Sequence, residues 1–372
     1  MIWLVSLGVS KNHGSELLVG WQWIKRLRDA ELEFKVLTLD NFRDNDFLDP
    51  IDRVDCIFLD IGLIDRNRIN SNHFFITYRF WFSCYKYLSS HSSPSDHILI
   101  VSPASLWFMP LCPMLTVPRS RIFYGPIGLP FITVKTNITQ AKLRNGLGLF
   151  LLCLWKTLWP ILPRHMCLRF RSRLFEKTIG SNYLLVPEFP EIYPLATPLQ
   201  HAASVHQQTL PLQSIIIFYD KRWRKNFLQT LEYSCQLASV LGIGLVIIGD
   251  CVPRSLISRW TAHGLPIETR LPMPRSNFLR WLRSNRFLLV SLSLSEGLSS
   301  LLVDALVSGC TLRILASGGN QFLIDFSSTR KKVGVLHGET IFEISWNISD
   351  SSLLEQHVNS AADNLLQTIK FS

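Results

Sequence analysis

Short apolar runs alternate with stretches of helical periodicity along most of this 372-residue chain. Trp3–Gly8, Val36–Leu39, Cys56–Ile61 and His97–Val101 are too short for helices. They are apolar with little alternation, which predicts strands covered on both faces. Between them, Glu16–Asp29 and Phe74–Leu88 have the spacing of helices. Beyond residue 212 the rhythm returns, with strands predicted at Ile215–Tyr219, Leu245–Asp250, Phe287–Ser291 and Thr311–Ala316. Helices are predicted at Asn226–Leu241, Arg254–His263 and Ser276–Asn285. Another runs from the Ser295-Glu296-Gly297 turn to Ser308, where Gly309 stops it, and a terminal helix covers Ser351–Lys370.

Strands alternating with helices predict an α/β protein built on parallel sheets. Pro187, Pro190, Pro194, Pro198 and Pro211 interrupt the rhythm and mark a linker. The expectation is two Rossmann-like, doubly wound domains facing a central cleft. The first covers 1–186 and carries an insert at 140–177. A linker at 187–212, a second domain at 213–350 and a C-terminal helix at 351–372 complete the chain. Both domains fall within the usual size range, and 47% apolar residues suffice for two cores, which excludes a disordered chain. The eight cysteines are scattered singly, with no CxxC pair and no zinc spacing, as in a reducing cytosol. The opening Met1–Leu7 lacks a basic start and is broken by Lys11-Asn12-His13, so it reads as a first strand rather than a secretion leader.

Charge sharpens this picture. The net charge of +10 is concentrated at 140–177, where Lys142, Arg144, Lys156, Arg164, Arg169, Arg171, Arg173 and Lys177 face the single acid Glu176. Within it, Gly146–Pro163 is the most apolar stretch of the chain, broken by Lys156 and Pro160. Trp155 and Trp159 lie one turn apart there. The composition predicts a helix lying in an anionic membrane interface, with a buried helix and a short span as alternatives. No interleaved basic and aromatic module for nucleic acid is present. No GxGxxG follows a first strand, which excludes a dinucleotide-dependent oxidoreductase.

The stretch Ser295–Ile324 carries the most chemistry: strand, glycine turn, helix, glycine stop, strand, then Gly318-Gly319. The helix start at Leu298-Ser299-Ser300 offers unpaired backbone N–H groups and the positive end of a dipole, a place for a diphosphate. Glu296 precedes it and Asp304 follows along the helix, and carboxylates of this kind hold sugar hydroxyls. This stretch resembles the family 4 (group 1) retaining glycosyltransferases of GT-B fold. Glu296, Gly297, Ala305, Gly309, Gly318, Gly319 and Asn320 stand in step with the family motif, while Asp304 replaces a Glu and Ser299 a Gly. The resemblance implies that Glu296 contacts the donor sugar and residue 304 the nucleotide ribose. It implies that Gly297 to Ser300 cradle the diphosphate.

Two further segments are similar to the family. Tyr219–Asn226 occupies the place of a basic loop that neutralises the leaving diphosphate, with Lys225 in step and Lys221 or Arg222 standing in for the Arg. His13-Gly14-Ser15-Glu16 with Gly20-Trp21-Gln22-Trp23, and the loop Tyr124–Gly128 around Gly125, resemble the cleft loops of one subgroup. No His follows the fourth strand, where the family often has one; Ser102-Pro103-Ala104 stands there. The resemblance implies a retaining transfer from a UDP- or GDP-linked sugar to a glycan or lipid-linked acceptor. No resident cofactor or metal is expected, since no Asp-x-Asp stands where a GT-A enzyme would need one. The expected location is cytoplasmic, peripheral on the inner face of the plasma membrane. The alternative is a degraded relative that serves as a membrane-bound binding partner.

Overall fold

The computed structural model describes residues 1–9, 16–39, 56–61, 73–102, 115–127, 139–168, 183–185, 211–222, 225–294, 299–317 and 320–371. The chain divides into two compact units. Unit 1 comprises Met1–Pro130, Asn145–Pro190 and Val358–Ser372, and unit 2 comprises Phe131–Arg144 and Glu191–His357. The predicted linker, apart from 211–212, lies outside the described residues.

Unit 1 holds seven strands: β1 (Ile2–Ser6), β2 (Phe34–Leu39), β3 (Cys56–Leu59), β4 (His97–Ser102), β5 (Ile122–Ile127), β6 (His165–Leu168) and β7 (Tyr183–Leu185). Their order is β3-β2-β1-β4-β5-β6-β7, all parallel, so the winding reverses between β1 and β4. Helix α1 (Glu16–Asp29) packs Trp23, Ile24 and Leu27 on Ile2, Leu4, Leu99 and Phe123. Successive strand residues face opposite ways, so Trp3 and Tyr124 look to the other side. There they meet α2 (His73–His91) and α3 (Thr139–Leu158): Trp3 lies edge-on to Tyr87, and Tyr124 lies between Trp81 and Trp155. Trp3 also donates its indole N–H to buried Asp96 at 2.9 Å. Both faces of the sheet are thus covered, which is why β1 is buried at every position.

Unit 2 repeats the plan. Its elements are β8 (Ser214–Phe218), α4 (Phe227–Leu241), β9 (Gly244–Ile248), α5 (Arg254–Ala262), β10 (Ile267–Arg270), α6 (Arg275–Ser284) and β11 (Phe287–Ser291). They continue as α7 (Ser300–Val307), β12 (Thr311–Leu315), α8 (Asn320–Phe326), β13 (Thr329–Leu336), β14 (Glu339–Ser345) and α9 (Ile348–Phe371). The sheet runs β10-β9-β8-β11-β12-β14-β13, and only the last two pairings are antiparallel. Leu231, Cys235 and Ala238 of α4 bury against Ile215, Ile217 and Leu245. On the other face Phe218 meets Phe278 of α6 edge-on at 5.9 Å. Helix α4 stops at Gly242, whose left-handed φ of 65° lets its N–H return to the Ala238 carbonyl. Residues of α9 up to His357 group with unit 2, and those from Val358 with unit 1, where Leu365, Leu366 and Ile369 join the α1 cluster.

The structure corrects the sequence expectation in several places. Tyr124–Ile127 is not a loop but the end of β5, and Gly125 sits inside the sheet. The apolar stretch read as Gly146–Pro163 is helical from Thr139 and ends at Leu158, where Pro160 turns the chain through a short 3-10 segment, Trp159–Ile161. Trp155 is fully buried against Tyr124, so it does not join Trp159 at a membrane interface. Among the described residues no helix is long and apolar enough to cross a membrane. β5, β6, β7, β10 and the β13–β14 hairpin are additions. The hairpin turns through His337 and Gly338, both with positive φ, the geometry that suits a two-residue connection.

Candidate functional site

In a doubly wound sheet, ligands bind beyond the carboxyl ends of the strands at the point where the winding reverses. In unit 2 that point lies between β8 and β11. The loops leaving these two strands, 219–226 and 292–299, contain the two segments singled out in the sequence. β8 and β11 are neighbouring parallel strands, so the described starts of both loops leave from the same edge of the sheet.

Specific bonds hold these loops. The amide of Tyr219 donates to the Ile248 carbonyl at 2.8 Å, and the Tyr219 ring packs edge-on against Phe227 at 4.8 Å. Gly249 makes room for this: a Cβ there would lie 2.6 Å from the Tyr219 Cβ. Asn226, at φ 54° and ψ 40°, donates from Nδ2 to the Leu292 carbonyl at 3.1 Å, fastening the first loop to the second. Ser317, beyond β12, donates from its hydroxyl to the Ser293 carbonyl at 2.8 Å and fastens a third. Asn320 is fully buried; its Nδ2 donates to the Leu315 carbonyl at 3.1 Å, while its Oδ1 has no partner among the described residues.

The basic residues divide into distinct roles. Lys221 and Arg222 are exposed, and Lys225 is half-buried in a tight turn closed by its N–H to the Arg222 carbonyl at 2.9 Å. Arg222 is committed to Asp220: its Nε donates to both carboxylate oxygens at 2.9 Å, and its Nη2 also reaches Oδ2. Partial burial alone would raise the Asp220 carboxyl. The Arg222 hydrogen bonds and the charges of Arg222 and Lys225 outweigh it and hold Asp220 below the ordinary carboxylate range. An anion approaching Arg222 has to compete with Asp220.

Ser299 caps α7 without a side-chain hydrogen bond, and its carbonyl accepts from Leu302 and Val303 at 3.1 Å. The amides of Ser300 and Leu301 have no acceptor within the helix, as at any helix start. Asp304 is buried at 6% exposure, one turn inside α7. Glu296, Gly297 and Leu298, like His13, Gly14 and Ser15, lie outside the described residues. Gly125 has a packing reason: at φ 139° its absent Cβ would lie 2.2 Å from the Cys167 carbonyl oxygen of β6. Gly20 is similar, since a Cβ there would lie 2.3 Å from Ser6 Oγ, so α1 sits directly on the end of β1.

Sequence reasoning missed the fastening residues Asn226, Ser293 and Ser317, and the Asp220–Arg222 pair. The available signal was the small polar residues that end the apolar strands, Ser293 after β11 and Ser317 after β12. Among the described residues, no three His, Cys, Asp or Glu side chains stand close enough to hold a metal.

No protein-family model matches the sequence, and no curated protein does. Solved structures do match. Sucrose-phosphate synthase from Thermosynechococcus elongatus superposes with a TM-score of 0.56 at 16% identity, covering 87% of this chain and 83% of that one. A UDP-forming α,α-trehalose-phosphate synthase from Burkholderia vietnamiensis gives 0.55 at 10% identity, covering 99% and 94%. TarM from S. aureus, solved with UDP, gives 0.53 at 10% identity, covering 99% and 92%. Two doubly wound, mainly parallel sheets together with these superpositions over most of the chain settle the architecture. The fold is GT-B. In this GT-B chain the loops at the β8–β11 reversal belong to the C-terminal unit, and the Gly20 and Gly125 contacts to the N-terminal one.

Proposed function

We propose that the protein is a retaining, metal-independent glycosyltransferase that moves a sugar from a UDP- or GDP-linked donor to a glycan or lipid-linked acceptor in polysaccharide or glycolipid synthesis. The observation that carries this reading is the fastening of the 219–226 loop to the 292–299 loop through Asn226 and the Leu292 carbonyl. It supports the reading because the bond ties the end of the loop after β8 to the end of β11, at the winding reversal where α/β sheets bind nucleotides. Two of the structures that share the fold are a UDP-forming synthase and TarM solved with UDP.

In this reading Lys225, assisted by Lys221 and Arg222, stabilises the charge that develops on the leaving diphosphate, and the Ser299–Ser300 amides with Gly297 and Leu298 complete the cradle. Glu296 orients the donor sugar and Asp304 supports the nucleotide end. His13, Gly14 and Ser15 belong to the acceptor side. The diphosphate itself helps to take the acceptor proton on the face it leaves, so configuration is retained and no metal is required. The enzyme works on the inner face of the plasma membrane.

Calorimetry with UDP and GDP tests the reading. One of the two binds with micromolar affinity, and Lys225→Ala weakens it at least about tenfold, the effect of losing one charge-assisted phosphate contact. Glu296→Ala abolishes turnover while leaving nucleotide binding in place. No binding of either nucleotide by the folded chain refutes the donor site. One observation favours a second reading, a non-catalytic relative that binds a partner transferase: Arg222 is neutralised by Asp220. Nucleotide binding without any donor hydrolysis selects that alternative.

A further inference from the structure

The outer side of α2 is built unlike that of an ordinary surface helix. Ile76, Phe80, Trp81, Cys84 and Leu88 are buried, so the opposite stripe consists of Phe75, Tyr78, Phe82 and Lys86. Phe82 is 70% exposed and Phe75 55% exposed. A helix of a globular domain places charged and polar groups on that side. Helix α3 does the same: Leu152 and Trp155 face the sheet, while Leu147 and Phe150, the latter 62% exposed, face outward with Lys156 on the flank. Trp81 of α2 and Trp155 of α3 both pack on Tyr124, so the two helices cover one face of the unit 1 sheet and their outer stripes share one side.

Neither helix carries an acid. From His73 to Phe175 the sequence contains one acid, Asp96. That carboxylate is buried and accepts from the Trp3 indole and the Ser93 amide, so it adds no exposed negative charge. Lys86 and Lys156 are exposed on the two helices themselves. Exposed aromatic rings among unopposed cations match a bilayer interface that carries negative headgroups. A second copy of the same face fits poorly, because two such faces would bring the lysines of α2 and α3 together and neither helix carries an acid.

We propose that the outer faces of α2 and α3 form one docking surface for an anionic lipid bilayer. Phe75, Phe82, Leu147 and Phe150 enter the headgroup–acyl boundary, and Lys86 and Lys156 lie against lipid phosphates. This deepens the peripheral location proposed above and replaces the Trp155–Trp159 pair as the membrane contact. It does not depend on the chemistry of unit 2.

The test is flotation of the full chain with vesicles of phosphatidylcholine alone and of phosphatidylcholine mixed with phosphatidylglycerol. The chain floats with the mixed vesicles and not with the neutral ones, and added salt weakens the association. Phe82→Ser with Phe150→Ser lowers partitioning at least about tenfold. Lys86→Glu with Lys156→Glu lowers it by a similar factor or more. All four side chains are exposed, and circular dichroism with a thermal melt verifies that each variant remains folded. Absence of flotation with mixed vesicles, or flotation unchanged in both double variants, overturns the proposal. A concentration-dependent dimer in light scattering that the Phe82→Ser, Phe150→Ser variant dissolves also overturns it and assigns the face to a second copy. UDP binding is read separately, so failure here leaves the donor-site reading standing or falling by its own measurement.

Discussion

Asn226 does two things at once, and two substitutions separate them. Its side chain joins the loop after β8 to the Leu292 carbonyl at 3.1 Å, and its backbone sits in the left-handed region at φ 54°. Asn226→Gly removes the hydrogen bond and keeps the conformation accessible. Its cost is about 1 kcal/mol for the bond, with up to about 1 kcal/mol more for added freedom of the unfolded chain. Asn226→Ala removes the same bond and also loses the tolerance of asparagine for the left-handed region, leaving alanine to bear a strain of up to about 1–2 kcal/mol. The structure therefore orders the urea midpoints as wild type, then the Gly variant, then the Ala variant. Nucleotide affinity follows the loop rather than the backbone strain. Both variants bind UDP or GDP several-fold more weakly, because the free loop has to be ordered on binding. Fluorescence-monitored urea titration and calorimetry on the same preparations give both quantities. A Gly variant equal to wild type in midpoint and in nucleotide binding would refute the fastening role. An Ala variant no less stable than the Gly variant would refute the conformational argument.

Gly125→Ala places a methyl group 2.2 Å from the Cys167 carbonyl oxygen on a backbone at φ 139°, and the sheet cannot yield there. We expect a loss of about 3 kcal/mol or more, seen as a lowered thermal midpoint or an insoluble product, whereas the open site at Gly146 tolerates alanine. His97 and His165 flank Phe123 on adjacent strands, and His165 stacks on its ring at 4.5 Å. Burial first, then the Arg121 charge for His97 and the Arg164 charge for His165, lower both below the ordinary histidine range. The folded imidazoles therefore stay neutral where the unfolded ones protonate. Their contribution is present above about pH 6.5 and is lost as the pH falls below it. Urea midpoints at pH 7.5 and 5.0 decline toward acid, and His97→Gln with His165→Gln flattens that slope; an unchanged slope rejects the assignment.

How much of this was legible in the sequence depends on how local the deciding contact is. Helix α1 was readable to its ends, Glu16–Asp29, because Trp23, Ile24 and Leu27 recur at helical spacing among Lys25, Arg26 and Arg28. The ends of β8 and β11 were readable because their apolar runs stop at polar residues. The polar edge strands of unit 2 were not. β13 carries exposed Arg330, Lys331 and Lys332, and β10 exposes Glu268 and Thr269, so neither shows an apolar run. Charge on an edge strand discourages pairing with other chains and also erases the signal by which strands are recognised.

Trp155 shows the limit most clearly. Its neighbours Leu154 and Trp159 are as apolar as it is, and composition cannot tell which side of the helix faces the sheet. The answer comes from Tyr124, on another strand, whose ring stacks on Trp155 at 5.8 Å and lies 6.3 Å from Trp81. Once that side is known, Phe150 must point away from the sheet, about a half-turn from Leu152 and Trp155. The same step applied to α2 sends Phe82 outward once Phe80, Trp81 and Cys84 are placed inward. An apolar helix in a sequence therefore says little about membranes until the aromatic residues claimed by the core are subtracted. Here the residues that remain are Phe75, Phe82, Leu147 and Phe150, and these, rather than the tryptophans, are where a bilayer contact has to be sought.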